Sequence, residues 1–238
     1  MELVVVNSNS AGNSYLLEAS DGQQLCIEAG RPIKEVKSIG GLKTSKCVGV
    51  LTSHAHLDHA KYIKDFVKAG IDVYTTPDCA EKKLGATPVE PEKTIQLGKF
   101  AVTPLSVEHD VPCYAYLIHH EECGTIYFFT DAYNMKQVVT GCDTYMCECN
   151  YEDNLLDRAV REGMTLRSQA DRIRLSHMSQ AHAIEFLRKC KVEDSAKQII
   201  LIHGSSRHLN PDMAISKFQQ VLGVPTLYAY KGMTTFLL

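Results

Sequence analysis

An α/β sandwich, with sheets packed between helical layers, is the architecture this chain encodes. Strands open and close its 238 residues, helices recur through both halves, and no internal repeat, low-complexity tract or proline-rich linker interrupts it. With 45% of residues apolar, it is long enough for one sizeable core and short for two ordinary domains. Residues 1–238 are therefore expected to form a single domain.

The elements follow in order. "ELVVV", "YLLEA" and "LCIEAG" read as short strands separated by the turns "NSNSAGNS" and "SDGQQ". "CVGVLTS" is a buried strand running straight into the turn "HAHLDH". In "AKYIKDFVKAG", Tyr62, Ile63, Phe66 and Val67 fall at helical spacing, and Gly70 ends the helix. "IDVYTT" is a strand, and "PDCAEKKLG" a short helix with proline at its first position. Longer strands come next: "KFAVTPLSV", "YAYLIHH", "GTIYFFT" and "TYMCEC". Helices return over 152–162, 178–190 and 211–222, around the strand "QIILIH", and "TTFLL" closes the chain.

Net charge is −3 and the pI about 6.4, so no global basic field advertises a nucleic-acid partner, although a local patch would suffice. "MELVVVNSNS" has no basic segment followed by an apolar one, and no run of eighteen apolar residues occurs, so no membrane association is expected. Nine cysteines, an odd number without framework spacing, read as reduced thiols in the cytoplasm. Cys142, Cys147 and Cys149 cluster, but without Cys-x-x-Cys pairs they fit packing better than a zinc knuckle.

The chemistry concentrates in residues 54–59. In an extended segment, residues two apart point the same way, so His54 and His56 can face one cation. Once the chain turns, Asp58 and His59 can face a second. Imidazole nitrogen with some carboxylate oxygen suits zinc, and the lack of thiolates suits a site that keeps a position open for water. More donors follow at strand ends: His109 after "VTPLSV", Asp131 after "IYFF", and His203 after "QIILI". Seven ligands would then divide, with His54, His56 and His109 on one ion, Asp58, His59 and His203 on the other, and Asp131 bridging.

With these residues the chain resembles the metallo-β-lactamase-fold hydrolase superfamily. "HAHLDH" matches its H-x-H-x-D-H motif, and His109, Asp131 and His203 match the remaining ligands in order. The resemblance extends from the glycine turn "SNSAGNSYLLE" to "TTFLL" and implies a four-layer αββα sandwich with two zinc ions at one edge, manganese being the alternative metal. "LSHMSQAHAIEFL" and "HGSSRH" are similar to ribonuclease Z segments, the latter to its His-Phe-Ser-x-Arg-Tyr motif with Gly204 and His208 replacing Phe and Tyr. The glycine turn, "TDAY" and "ECNYE" are similar to the small single-domain exonuclease-like branch. Glu28-Ala29-Gly30 stands where the family usually has Asp-x-Gly. Neither a long β-CASP-type insertion nor the arm that grips tRNA is evident.

The resemblance implies phosphodiester cleavage by a hydroxide shared between two metals roughly 3.5–4 Å apart. Asp58 would orient that nucleophile, and His177 would donate a proton to the leaving alkoxide or contact the phosphate. Ser205 and Arg207 would bind substrate phosphate. So would Arg174, from the arginine-rich "RAVREGMTLRSQADRIR" that also holds Arg172. The expected substrate is a nucleic-acid end, or alternatively a small cyclic nucleotide, and relatives suggest a homodimer. The same metals could instead hydrolyse a carbon ester, thioester or lactam. A diiron redox protein would carry glutamate at the position of His56, and a non-catalytic module would have lost ligands. His119 and His120, in the "IHHEECG" hairpin, are expected to be exposed, His182 ordinary, and His208 a neighbour without a ligand role. Asp110 and Glu148 would at most orient an imidazole.

Overall fold

A computed structural model describes residues 1–133 and 135–237. Two seven-stranded sheets lie face to face, their strands numbered here in chain order. The first runs β14 (Thr234–Phe236), β1 (Glu2–Asn7), β2 (Ser14–Glu18), β3 (Gln24–Ile27), β4 (Cys47–Leu51), β5 (Val73–Thr75), β6 (Thr87–Pro88). The second runs β13 (Thr226–Tyr228), β12 (Gln198–Ile202), β11 (Thr144–Glu148), β10 (Gly124–Phe129), β9 (Cys113–His120), β8 (Phe100–Val107), β7 (Ile95–Leu97). Four helices accompany the first sheet in sequence: α1 (Ile33–Gly40), α2 (Leu57–Ala60), α3 (Ile63–Lys68) and α4 (Pro77–Lys82). Five follow in the second half: α5 (Asp153–Arg161), α6 (Arg167–Ser176), α7 (Gln180–Lys189), α8 (Val192–Ser195) and α9 (Pro211–Leu222). The result is an αββα sandwich.

The period-two alternation of strands explains the layers. On β1, Leu3 and Val5 enter the core between the sheets with Phe128, Met146 and Ile200, while Val4 and Val6 meet Val36 and Phe66 of the outer helices. On the other side, Phe129, Tyr145 and Leu201 pack against Phe186 of α7 and Phe218 of α9. Both faces of the central strands are thus covered, which is why "LVVV" and "IILI" are unbroken apolar runs and not alternating ones. The cysteines at 142, 147 and 149 are free thiols buried in the outer core, as packing residues.

Strand direction places the site. β3 and β4 pair in parallel, as do β10, β11 and β12. β8 and β10 each run antiparallel to β9, hence parallel to one another. The carboxyl ends of β8, β10, β11 and β12 therefore share one rim of their sheet, and side chains just beyond them meet over it.

Several expectations change. The helix expected over 60–70 is two pieces, because Tyr62 leaves helical geometry and its N–H donates to Ala29 O at 2.9 Å. Gly70 does follow in the left-handed region, with φ 77°. α1, α6 and α8 are not among the expected elements: α1 puts Val36 in the outer core with Ile33 and Ile39 packed against it, whereas α6 buries only Ala170. His119 is exposed, but His120 is buried, its ring 4.7 Å from that of Phe100. On a strand, adjacent residues take opposite faces, so the pair cannot share one fate. Leu238, the last residue of the expected strand "TTFLL", lies outside the described residues; Thr234–Phe236 form the strand. Among the described residues no helix is long and apolar enough to cross a membrane.

Candidate metal centre

The turn after β4 is clamped from several sides. Thr52 O accepts from the hydroxyls of Thr75 and Tyr116, both at 2.8 Å. Ser53 O accepts from Tyr114 N at 3.0 Å, Asp58 O from Asn13 N at 2.7 Å, and His59 O from Ala29 N at 2.8 Å. A turn held at this many backbone points fixes its imidazoles without relying on their own contacts. His54 is fully buried, and its Nδ1 lies 2.9 Å from Ser53 Oγ. Its Nε2 is turned inward, buried and without a hydrogen-bond partner.

Around that nitrogen the structure gathers two donor sets. His54, His56, His109 and Asp131 offer ligand atoms all within 4.8 Å of one another, and so do Asp58, His59, Asp131 and His203. All seven residues singled out from the sequence are therefore together, with the Asp131 carboxylate common to both sets. Asp131 Oδ2 is 3.5 Å from His54 Nε2 and 3.2 Å from His59 Nε2, and Asp58 Oδ2 is 3.3 Å from both His59 Nε2 and His203 Nε2. Asp110, a half-exposed residue at the mouth, stands 3.0 Å from His109 Nε2 and 3.4 Å from His56 Nε2.

Three site residues lie just past strand ends in the left-handed region: Glu28 and His203 directly after β3 and β12, and Asp131 two residues past β10, with φ of 67°, 54° and 49°. Each costs on the order of 1–2 kcal/mol in backbone strain. That conformation swings the side chain over the rim in place of continuing the pleat.

Electrostatics divide the sets. Burial, reinforced by the charge of His59, holds His54 well below the ordinary histidine range, and burial also lowers His109. These imidazoles are free bases, the form that binds a cation. Burial opposes charge on His59 and His203 as well, but Asp131 outweighs it, with help from Glu28 and Asp58 at His59 and from Asp58 and Glu148 at His203. Both are raised well above the ordinary range. Asp131 stays ionised against its burial because His203 and His59 face it. Protons thus hold the second set together where a dication would supply the same charge. Nitrogen and oxygen donors without thiolate, the orphaned Nε2 of His54 and a shared carboxylate fit divalent cations.

Two buried glutamates complete the centre. Glu28 Oε1 is 3.2 Å from His59 Nδ1, though not in hydrogen-bond alignment, and its Oε2 accepts from Ser53 N at 3.3 Å. It therefore stands behind His59, where the family's usual aspartate position falls. Glu28→Gln should weaken cation binding by about tenfold or more, the loss expected when a ligand's orienting partner is removed; competition with a chromogenic chelator measures this. Glu148 does more than the sequence suggested. Its Oε1 is 2.7 Å from His177 Nδ1 and 3.1 Å from His203 Nδ1, while Oε2 accepts from Ala132 N and Met178 N. The signal available was its place at the end of "TYMCE", a buried strand in line with the others. Burial works against charge on His177, but Glu148 and Asp131 overcome it and push it up to about 9.

Two connected cavities open at the centre. The mouth, about 330 Å³, is lined by His56, Asp58, His109, Asp131 and His177. Beside it lies a chamber of about 590 Å³ bounded by α6, the loop after His203 and the loop at 9–11. Ser205 and Arg207 line this chamber and not the mouth. Arg174 lines neither: it pairs with Asp157 at 2.5 Å and Asp171 at 3.5 Å on the far side of α6. Arg172 lines both cavities in its place. Two residues along a helix turn a side chain about 200° round the axis, so the two arginines face opposite ways. His208 is buried, its Nε2 2.9 Å from Thr165 Oγ1 and its Nδ1 3.2 Å from Ser205 Oγ.

A His/Asp donor set on the rim of an αββα sandwich defines a metal-dependent hydrolase architecture, the metallo-β-lactamase fold. A family model described as the beta-lactamase superfamily domain matches residues 36–204, and the chain belongs to that family. In structure it is similar to the metallo-beta-lactamase fold protein YhfI from Bacillus subtilis, with 18% identity, 99% of each chain covered and a TM-score of 0.76. Human tRNase Z, short form, gives 14% identity over 100% of both chains and a TM-score of 0.69. A diphosphatase from the PhnP family gives 15% over 98% of this chain and 96% of that one, with a TM-score of 0.68. At these identities the likeness is one of fold. No curated protein matches the sequence significantly.

Proposed function

We propose that the protein is a hydrolase that uses two divalent cations, zinc or alternatively manganese, to cleave phosphodiester bonds, acting at nucleic-acid ends. The observation that carries this reading is His177, fixed by Glu148 at 2.7 Å and bordering both the mouth and an arginine-lined chamber. That two of the similar folds are named a tRNase and a diphosphatase supports phosphoryl chemistry.

The cations, when bound, supply Lewis-acid stabilisation of the phosphoryl oxygens and lower the pKa of the attacking water. The chain supplies the rest. Asp58, partly exposed at the mouth, accepts a hydrogen bond from that water and orients it in line. Glu148 holds His177 Nδ1, which leaves the other ring nitrogen to carry a proton at the mouth. As the phosphorus–oxygen bond breaks, His177 gives this proton to the departing oxygen. Arg172 places a fixed positive charge beside the mouth, where phosphoryl oxygens gather negative charge. The protein is read as a homodimer acting in the cytoplasm.

The test is to give zinc-loaded protein bis(p-nitrophenyl) phosphate beside nitrocefin and a thioester, then single- and double-stranded DNA, RNA and cyclic mononucleotides. Turnover is expected for the phosphodiester and for nucleic-acid ends; hydrolysis of nitrocefin or the thioester alone overturns the reading. His177→Ala should retain bound cation and slow cleavage of alkyl-leaving-group diesters about a hundredfold. With p-nitrophenolate, which departs as a stabilised anion, the loss should shrink to under about tenfold, since little protonation is needed. Equal losses for both leaving groups would contradict the proton-donor role.

A further inference from the structure

We propose that the side-chain carbonyl of Asn13 is a further ligand to the cation of the second donor set, Asp58, His59, Asp131 and His203, and that it makes this set the one suited to manganese. This rests on reading the centre as one that takes two cations.

Asn13 lies in the turn before β2 and is only 1% exposed. Its backbone is fixed on both sides: N donates to Asp58 O at 2.7 Å, and O accepts from Gly30 N at 2.9 Å. The side-chain amide therefore has little freedom, and its nitrogen stands 3.2 Å from His59 Nε2. Donors about 2.0–2.2 Å from a common ion lie about 3–3.5 Å from one another. The set already shows that spacing, with His59 Nε2 3.2 Å from Asp131 Oδ2 and 3.3 Å from Asp58 Oδ2. Glu28 faces the other ring nitrogen, Nδ1, so Nε2 is the one His59 turns to the set. Asn13 stands at ligand spacing from that nitrogen.

The two ends of an amide have the same shape, so their neighbours decide which one points where. Beside a cation on His59 Nε2, the N–H groups are repelled and the carbonyl is attracted. Turning the amide over gives up only two contacts at 3.5 Å, Nδ2 to Asp58 O and the Tyr15 hydroxyl to Oδ1. The Tyr15 hydroxyl, 2.8 Å from Ser8 Oγ, can then accept from Nδ2 while donating to the serine. Ser8 Oγ in turn accepts from His203 N at 2.9 Å, so one buried chain of polar groups braces Asn13 and a ligand of the same cation. With Asn13 the second set offers three oxygens and two nitrogens, against one oxygen and three nitrogens in the set of His54, His56, His109 and Asp131. Carbonyl and carboxylate oxygens suit manganese and imidazole suits zinc, so the two sets differ in the metal they favour.

The test loads full-length protein with one equivalent of zinc and titrates it with manganese, reading free manganese by electron paramagnetic resonance. Zinc alone is titrated past two equivalents by calorimetry in parallel. Wild type should bind manganese, and Asn13→Leu, similar in size but without an oxygen, should weaken that binding about tenfold or more, since even a group that only orients a ligand is worth that much. Asn13→Ala takes its place, with the same expectation, should N13L fail to fold. Asn13→Asp keeps an oxygen and loses the amide nitrogen, so it should bind manganese at least as tightly as wild type. Equal manganese affinity in wild type and N13L takes Asn13 away from the cation and overturns the proposal. So does a loss in N13D as large as in N13L, which would make the N–H groups and not the carbonyl the part that matters. Wild type that binds a second zinc but no manganese overturns it as well. Protein that takes up no second cation of either metal defeats the two-cation reading itself, and this proposal with it.

Discussion

Asp131→Asn is expected to strip the centre of most of its bound cation and to slow turnover at least about a thousandfold, while the protein stays folded. Asn keeps the volume of Asp131 and tolerates the left-handed backbone found there, at φ 49°. What it removes is the one charge common to both donor sets, with Oδ2 at 3.2 Å from His59 and Oδ1 at 3.0 Å from His203. An uncharged amide can balance neither two dications nor the two imidazoliums that take the place of one of them in the metal-free centre. Loss of a group that stabilises charge at the reacting centre typically costs about 3–4 kcal/mol of barrier, and here both cations depend on it. Elemental analysis should fall from about two cations per chain, the number the two donor sets imply, to under one, with an unchanged circular dichroism spectrum. Wild-type metal content with wild-type rates would remove Asp131 from the mechanism.

Gly30→Ala should damage stability and site together. A Cβ at position 30 would lie 1.8 Å from Asp58 O and 2.6 Å from Asn13 N, both backbone atoms that cannot swing aside. Asn13 N itself donates to Asp58 O at 2.7 Å, so the 12–13 loop, Gly30 and the histidine turn form one stack without spare room. Overpacking of this kind costs about 3 kcal/mol, near 6–12 °C in Tm for a chain of this length. The strain is relieved by pushing Asp58 away from His59 and His203, so cation content should drop as well. Gly22→Ala is the control: nothing lies within 4 Å of its Cβ, leaving only the cost of φ 82°, about 1 kcal/mol. If both variants melt alike and bind cation alike, close backbone approach at Gly30 is not what fixes the turn.

Much of the architecture could be read from the sequence. The runs "ELVVV", "TIYFF" and "QIILI" are strands because apolar, branched and aromatic residues cover both faces, and α9 lies over 211–222 with Asn210 capping it and Pro211 at its first turn. Elements whose apolar pattern is weak escaped. α6 buries only Ala170 within its length, so its helicity depends on tertiary packing against α5.

The candidate site divides along a similar line. The seven donors were visible because each follows a strand end, and strand ends on one rim converge whatever loops join them. Which acid stands behind which imidazole was not visible. Glu148 reaches His177 and His203 across 29 and 55 residues, and Glu28 reaches His59 across 31; those contacts arise from sheet register and from left-handed turns at Glu28 and His203. The same holds for Arg172 and Arg174, chemically identical neighbours that only the orientation of α6 tells apart. Short-range pattern dictates what kind of element a segment becomes and where its chemistry is carried, because those depend on a few adjacent residues. Pairing between distant side chains depends on packing of the whole sandwich, where a one-residue slip reverses every face.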